Sequence, residues 1–130
     1  MSIERVNPAG LARPSGFSHA VAGRGTLVLL AGQTALDPAG RITGTDLVAQ
    51  FEVALGNLLT ALAAAGGRPD RLASLTVYAV DMDDYRRNSA ALGQVWRRLA
   101  GRDYPAMAAV GVARLWDAAA LVEVQGMAIL

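Results

Sequence analysis

A chain of 130 residues is long enough for one domain that buries about two-thirds of its unfolded surface without a covalent staple. With no cysteine and a single histidine, disulfides, thiolate chemistry and a multi-histidine metal centre within one chain are excluded. A formal charge of +1 gives no reason to seek nucleic acid or an anionic membrane.

Hydrophobic residues make up 53% of the chain against 18% charged, so the solvated surface is thin and burial in an oligomer is expected. The opening Met1-Ser2-Ile3-Glu4-Arg5-Val6-Asn7-Pro8 carries charge and proline where a signal peptide needs an apolar run. No segment is expected to span a bilayer, because the best candidate, 53–65, is short and broken by Gly56, Asn57 and Thr60. The expectation is a cytoplasmic protein without a cofactor.

Residues 1–16 are punctuated by Pro8, Gly10, Pro14 and Gly16 and read as a loop or arm. Residues 17–22 read as a short strand with Phe17, His19 and Val21 on one face. Gly23-Arg24-Gly25 then reads as a tight turn into an apolar strand at 26–31, giving a hairpin. Gly32-Gln33-Thr34 ends that strand, and Asp37-Pro38-Ala39-Gly40 has the chemistry of a β-turn. Thr45 or Asp46 caps a helix to about residue 65, with Leu47, Phe51, Leu55, Leu58 and Leu62 in one stripe. Gly66-Gly67 supplies its left-handed stop.

Residues 72–80 hold Leu75, Val77, Val80, Thr76 and Tyr78 and read as a third strand. Asp81-Met82-Asp83-Asp84 opens a second helix running to about residue 100. Its inner stripe is Tyr85, Asn88, Leu92, Val95/Trp96 and Leu99. Asn88 is an amide on an apolar face, where leaving it unpaired would cost roughly 1–3 kcal/mol. A tie to a neighbouring loop or strand is favoured over a pocket-lining role.

Residues 104–115 form the next strand, with Pro105 at its entrance. One face presents Ala106, Ala108, Val110 and Val112; the other presents Met107, Ala109, Gly111 and Ala113. So bare a strand lets a backbone, a subunit or a ligand approach closely. The last strand, 119–128, puts Ala120, Val122, Val124 and Gly126 on one face and Leu121, Glu123 and Gln125 on the other. The order β-β-α-β-α-β-β implies an α+β layer with both helices on one face of the sheet. The opposite face would be bare, and a trimer of such sheets enclosing a barrel would cover it.

Few residues can carry chemistry. Gly23-Arg24-Gly25 lacks the lysine, hydroxyl residue and helix of a phosphate loop. Ser18 and His19 are neighbours on opposite strand faces, and no metal cluster is expected. Glu123 stands out as a carboxylate within an apolar strand, pointing away from Val122 and Val124. It is either an interface charge or a group that holds or deprotonates a water.

Several segments together resemble the RidA family, the YjgF-like reactive-imine deaminases. They are Gly16-Phe17-Ser18-His19-Ala20, Ala31-Gly32-Gln33, Leu75-Thr76-Val77-Tyr78, Asp81-Met82-Asp83-Asp84-Tyr85, Asn88, Tyr104-Pro105-Ala106 and Leu121-Val122-Glu123-Val124. The resemblance runs from about residue 3 to the C-terminus. It implies a chorismate-mutase-like fold, a homotrimer with ligand clefts between subunits, and hydrolysis of imines or enamines to ammonia and a keto acid. It also implies that Glu123 positions water and that Phe17, Ala31, Gly32, Gln33, Asn88, Met107, Ala108 and Ala109 line the cleft.

Three positions depart from the family pattern. Met107 stands where an arginine binds the substrate carboxylate, Phe17 where a tyrosine stands, and Ala31 where a serine stands. Each change removes a polar group, so weak hydrolysis of amino-acid-derived imino acids is expected. Substitute cations from Arg86, Arg87 or Arg114 are not favoured by their spacing. A divergent hydrolase for a more apolar or non-carboxylate ligand is the first reading. A non-catalytic metabolite- or partner-binding trimer is the second, and an endoribonuclease the third, disfavoured by the charge balance.

Overall fold

The computed structural model describes residues 3–130. Two short strands, β1 (Glu4–Val6) and β2 (Ala20–Ala22), pair antiparallel with Glu4 opposite Ala22. They are followed by β3 (Leu27–Gln33), α1 (Leu47–Ala64), β4 (Leu72–Ala79), α2 (Met82–Arg87), α3 (Ser89–Ala100), β5 (Ala106–Gly111) and β6 (Val122–Ile129). The main sheet has the order β3-β6-β4-β5. The strand β6 runs antiparallel to both of its neighbours, while β4 and β5 are parallel. The first β-α-β crossover, from β3 to β4, therefore leaves a gap that the last strand fills, and the second places β5 beside β4.

The expected hairpin between 17–22 and 26–31 does not form. Its first strand pairs with β1, a strand the proline-rich start had concealed, and β3 takes β6 as partner. The glycines between them serve close approach instead of a tight turn. Gly25 has φ +141°, and a Cβ there would lie 1.8 Å from the Leu130 carbonyl oxygen. That contact accompanies the paired bonds Thr26 N–H to Leu130 O (2.8 Å) and Leu130 N–H to Thr26 O (2.9 Å).

The first helix follows its spacing. Asp46 caps it, accepting a hydrogen bond from Ala49 N–H at 2.8 Å. Gly66 (φ +94°) ends it, with Gly67 N–H bonded to Leu62 O at 2.9 Å. Leu47, Phe51, Leu55, Leu58 and Leu62 are all buried. One expectation needs correction: with 18 residues and a mean hydropathy of 1.5, α1 is long and apolar enough to cross a membrane. Here it is the central helix of the core, in contact with β3, β6 and α3.

The second expected helix is two. Asn88 leaves helical geometry (φ −98°, ψ 13°) and separates α2 from α3. Its side-chain amide donates to Asp84 O at 2.8 Å and to Asp84 Oδ1 at 3.0 Å. The tie is thus to the preceding turn of its own helical segment and not to a neighbouring loop or strand. The side chain adds a second bond to Asp84 O, which also accepts from Asn88 N–H at 3.1 Å.

The strand expected at 104–115 stops at Gly111. Val112 N–H still bonds Ala79 O at 2.9 Å, but Arg114 turns to Leu115 O and Trp116 O. Register fixes the faces. Met107 lies opposite Leu75 and Ala109 opposite Val77, so both belong to the helix-covered side. Glu123 lies opposite Tyr78 on the other side, between the fully buried Val122 and Val124. That other side has no helix over it and exposes Leu29 (72%), Leu27 (60%), Val110 (41%) and Met127 (40%).

Candidate functional site

A cavity of about 540 Å³ opens on the helix side at the β5 edge of the sheet. Its walls include Phe17, Tyr85, Trp96, Tyr104, Met107 and Ala109. Hydrogen bonds to the segment ahead of β5 set its shape. Ser18 N–H donates to Pro105 O (3.0 Å) and Ser18 Oγ to Tyr104 O (2.7 Å), lashing the loop that carries Phe17 to the strand that carries Met107. Trp96 Nε1 donates to Asp103 O (3.1 Å), and its ring stacks on Tyr104 with centroids 5.2 Å apart.

Phe17 meets His19 edge to face, with ring centroids 4.9 Å apart. The imidazole is engaged by Ala12 O at 2.7 Å, so His19 is a satisfied structural residue. Burial pushes the Tyr85 phenol above its ordinary pKa of 10.0, which keeps it a neutral donor. Ala108 also borders the cavity, from the edge strand.

Arg97 stands in the same wall and is solvent-exposed. It is a cation other than the three weighed from the sequence. None of Arg86, Arg87 or Arg114 supplies that charge: Arg87 pairs with Asp84 at 3.4 Å, and Arg86 borders a separate surface depression with Arg87. The missed residues Ser89, Gly93 and Arg97 recur every fourth position on α3. That spacing was a signal in the sequence, hidden because the apolar stripe of the same helix drew the eye to Leu92, Val95 and Trp96.

The remaining candidates lie elsewhere. Between Leu30 (opposite Gly126) and Gln33 (opposite Val124), β3 carries one residue more than β6, a bulge spanning Ala31 and Gly32. The Gly32 backbone sits against the carboxylate of Glu123, where an added Cβ would come 2.0 Å from Oε2. Only a residue without a side chain leaves that carboxylate its place. The Glu123 side chain makes no hydrogen bond or ion pair with any other described residue.

Two amides of α1 hold the surroundings of this second cluster, and sequence reasoning missed both. Asn57 donates to Thr34 O (3.2 Å) and Leu36 O (2.9 Å), fixing the chain just after Gln33. The buried Gln50 donates to Gly44 O (3.1 Å) and Ala119 O (3.0 Å) and accepts from Leu121 N–H (2.8 Å), fixing the approach to β6. Their seven-residue separation on an apolar helix was the available clue.

One chain thus gathers Phe17, Met107, Ala108 and Ala109 at the cavity, and Ala31, Gly32, Gln33 and Glu123 around the bulge. It does not bring the two groups together, because Met107 and Glu123 project from opposite faces of the sheet. Asn88 belongs to neither, being spent on the α2–α3 junction.

A four-stranded mixed sheet with an antiparallel strand inserted between the two strands of its first crossover, and helices packed on one face only, is the chorismate-mutase-like α+β fold. A family model described as endoribonuclease L-PSP matches residues 9–130. The chain is similar to a RutC family protein of Pyrococcus horikoshii, 33% identical over 80% of this chain and 79% of that one. A Rid-family protein of Yersinia pestis, YyfB, superposes with a TM-score of 0.89 at 34% identity, covering 100% of both chains. TdcF of Escherichia coli, solved with bound serine, superposes with a TM-score of 0.72 at 25% identity, covering 100% of this chain and 98% of that one. The protein belongs to the RidA/YjgF family.

Proposed function

We propose that the protein is a divergent RidA-type hydrolase that deaminates an imine or enamine in a cleft between subunits of a homotrimer. The observation that carries this reading is the Glu123 carboxylate, without a partner among the described residues and given room by Gly32, on a sheet face that the chain itself leaves bare. A neighbouring subunit would bring its cavity, with Phe17, Met107, Ala108 and Ala109, over that carboxylate. Glu123 then holds a water that attacks the C=N carbon. The oxygen bonds to carbon, the carbon–nitrogen bond breaks, ammonia leaves with the transferred protons, and a carbonyl remains.

TdcF of Escherichia coli, to which the chain is similar, holds a bound serine. In this chain Met107 offers a thioether, a weak acceptor, where the family pattern has a guanidinium. Losing that charge-assisted pair costs roughly 1.5–3 kcal/mol, or about 10- to 100-fold in binding. The preferred substrate is therefore something other than a small imino acid. A cytoplasmic setting and independence of any cofactor complete the proposal.

The test is an imine-trapping assay in which an amino-acid oxidase generates the substrate. Small imino acids should turn over about 10- to 100-fold more slowly than with an arginine-bearing relative, consistent with that loss of binding, and Glu123→Gln should abolish what remains. A rate equal to the relative's would refute the altered specificity. Turnover that survives Glu123→Gln would remove the catalytic assignment and favour a non-catalytic binding trimer. Ribonuclease action, which the family description names, is opposed by the charge of +1 and the lack of a basic stripe.

A further inference from the structure

The cavity wall on α3 carries a feature that an apolar pocket would not need. Among the described residues that line the cavity, Arg97 is the one with a charged side chain. Its guanidinium forms no ion pair or hydrogen bond with any described residue, whereas the adjacent Arg98 pairs with Glu52 across the α1–α3 contact. One turn before Arg97 on the same helix face is Gly93, where an added Cβ would meet nothing within 4 Å. A glycine inside a helix costs about 1 kcal/mol relative to alanine, and here no packing demands it. It leaves open space between Arg97 and Ser89, which are about 12 Å apart along the helix at 1.5 Å per residue. Across that space stand Phe17 and Met107, both apolar.

We propose that Arg97 is the specificity determinant of this cavity. It binds the carboxylate of a ligand whose aromatic or branched apolar body lies over Gly93, against Phe17 and Met107. The guanidinium is free to make two parallel N–H···O bonds to a carboxylate. Its charge is solvent-exposed and unpaired among the described residues. Displacing the cation from β5 to α3 moves the acid group and makes room for a larger body, so small imino acids are disfavoured while bulkier acids are selected. This inference rests on the cavity being the ligand site of the proposed hydrolase.

The test is calorimetric titration of the full chain with hydrocinnamate and with its neutral amide, which has the same shape. The acid should bind the wild type about tenfold more tightly than the amide. Arg97→Gln should remove that preference and leave amide binding unchanged. Arg97→Lys should restore part of it, and Arg24→Gln, an equal charge change on a distant turn, should not alter it. Equal binding of acid and amide by the wild type would overturn the proposal, as would binding of neither at millimolar concentration, or an Arg97→Gln variant no weaker for the acid than Arg24→Gln. An intact Arg97-dependent preference with no imine hydrolysis would support the anion site and remove only the hydrolase reading.

Discussion

Two glycines of the sheet show how one residue type serves packing in one place and chemistry in another. At Gly126 a Cβ would come 2.7 Å from the backbone oxygen of Ser74, which pairing within the sheet holds in place. At Gly32 the obstacle is Glu123 Oε2, at 2.0 Å, the far end of a flexible side chain that can swing away. Gly126→Ala should therefore cost about 1–3 kcal/mol of folding stability, the usual penalty of overpacking. Gly32→Ala should cost under about 1 kcal/mol, because a rotamer change relieves it. Its effect should appear in turnover instead, falling to the level of Glu123→Gln. Urea denaturation and the imine-trapping assay measure the two quantities on the same samples. A Gly32→Ala protein of full activity would show that the carboxylate has no need of its observed position.

The helices and their junction are held by local hydrogen bonds whose worth can be measured. Asn88→Ala removes the bonds to Asp84 O and Asp84 Oδ1 at the α2–α3 break. The expected loss is about 0.5–1.5 kcal/mol, read as a lower urea midpoint at constant slope. An unchanged midpoint would mean that the backbone break holds without the amide. What the sequence disclosed at this scale follows from how local each cause is. The caps at Asp46 and Gly66, the α1 stripe, the Asp37 turn and the alternation of β6 are each set by a few neighbouring residues, and all could be read. The partner of a strand is set by distant chain. Gly23-Arg24-Gly25 has the local look of a hairpin, yet Leu130 occupies the place beside it. The same limit governs the site. Glu123, Gly32 and Met107 could be named as expectations, because the resemblance to the RidA family implies a role for each position. Arg97 could not be told apart from the other arginines, because what its side chain fails to pair with is known only once α3 is packed against α1 and the cavity beside it is formed.

At the scale of the molecule, the distribution of apolar surface argues for assembly. Leu27, Leu29, Val110 and Met127 share the uncovered sheet face with Glu123, while the opposite face packs under the helices, open only at the β5 edge where the cavity lies. An apolar face of this kind is unfavourable in water and marks an interaction surface. Because Glu123 and Met107 project from opposite faces of one sheet, a cleft that uses both must be completed by a second subunit. Assembly and turnover should then fall together. Leu29, the most exposed large apolar residue of that face at 72%, is the place to test it. Leu29→Lys adds a charge that must be desolvated if the face is covered, at a cost of several kcal/mol for an unpaired ion. On an isolated chain the same change is a surface substitution, worth less than about 0.5 kcal/mol. Sedimentation should give three times the chain mass of 13.5 kDa for the wild type and a single chain for the variant. Far-UV circular dichroism should be unchanged, and imine turnover should be lost. A variant that sediments as a single folded chain and still turns over substrate would show that one subunit carries the whole site, and the division of labour between two sheet faces would be wrong.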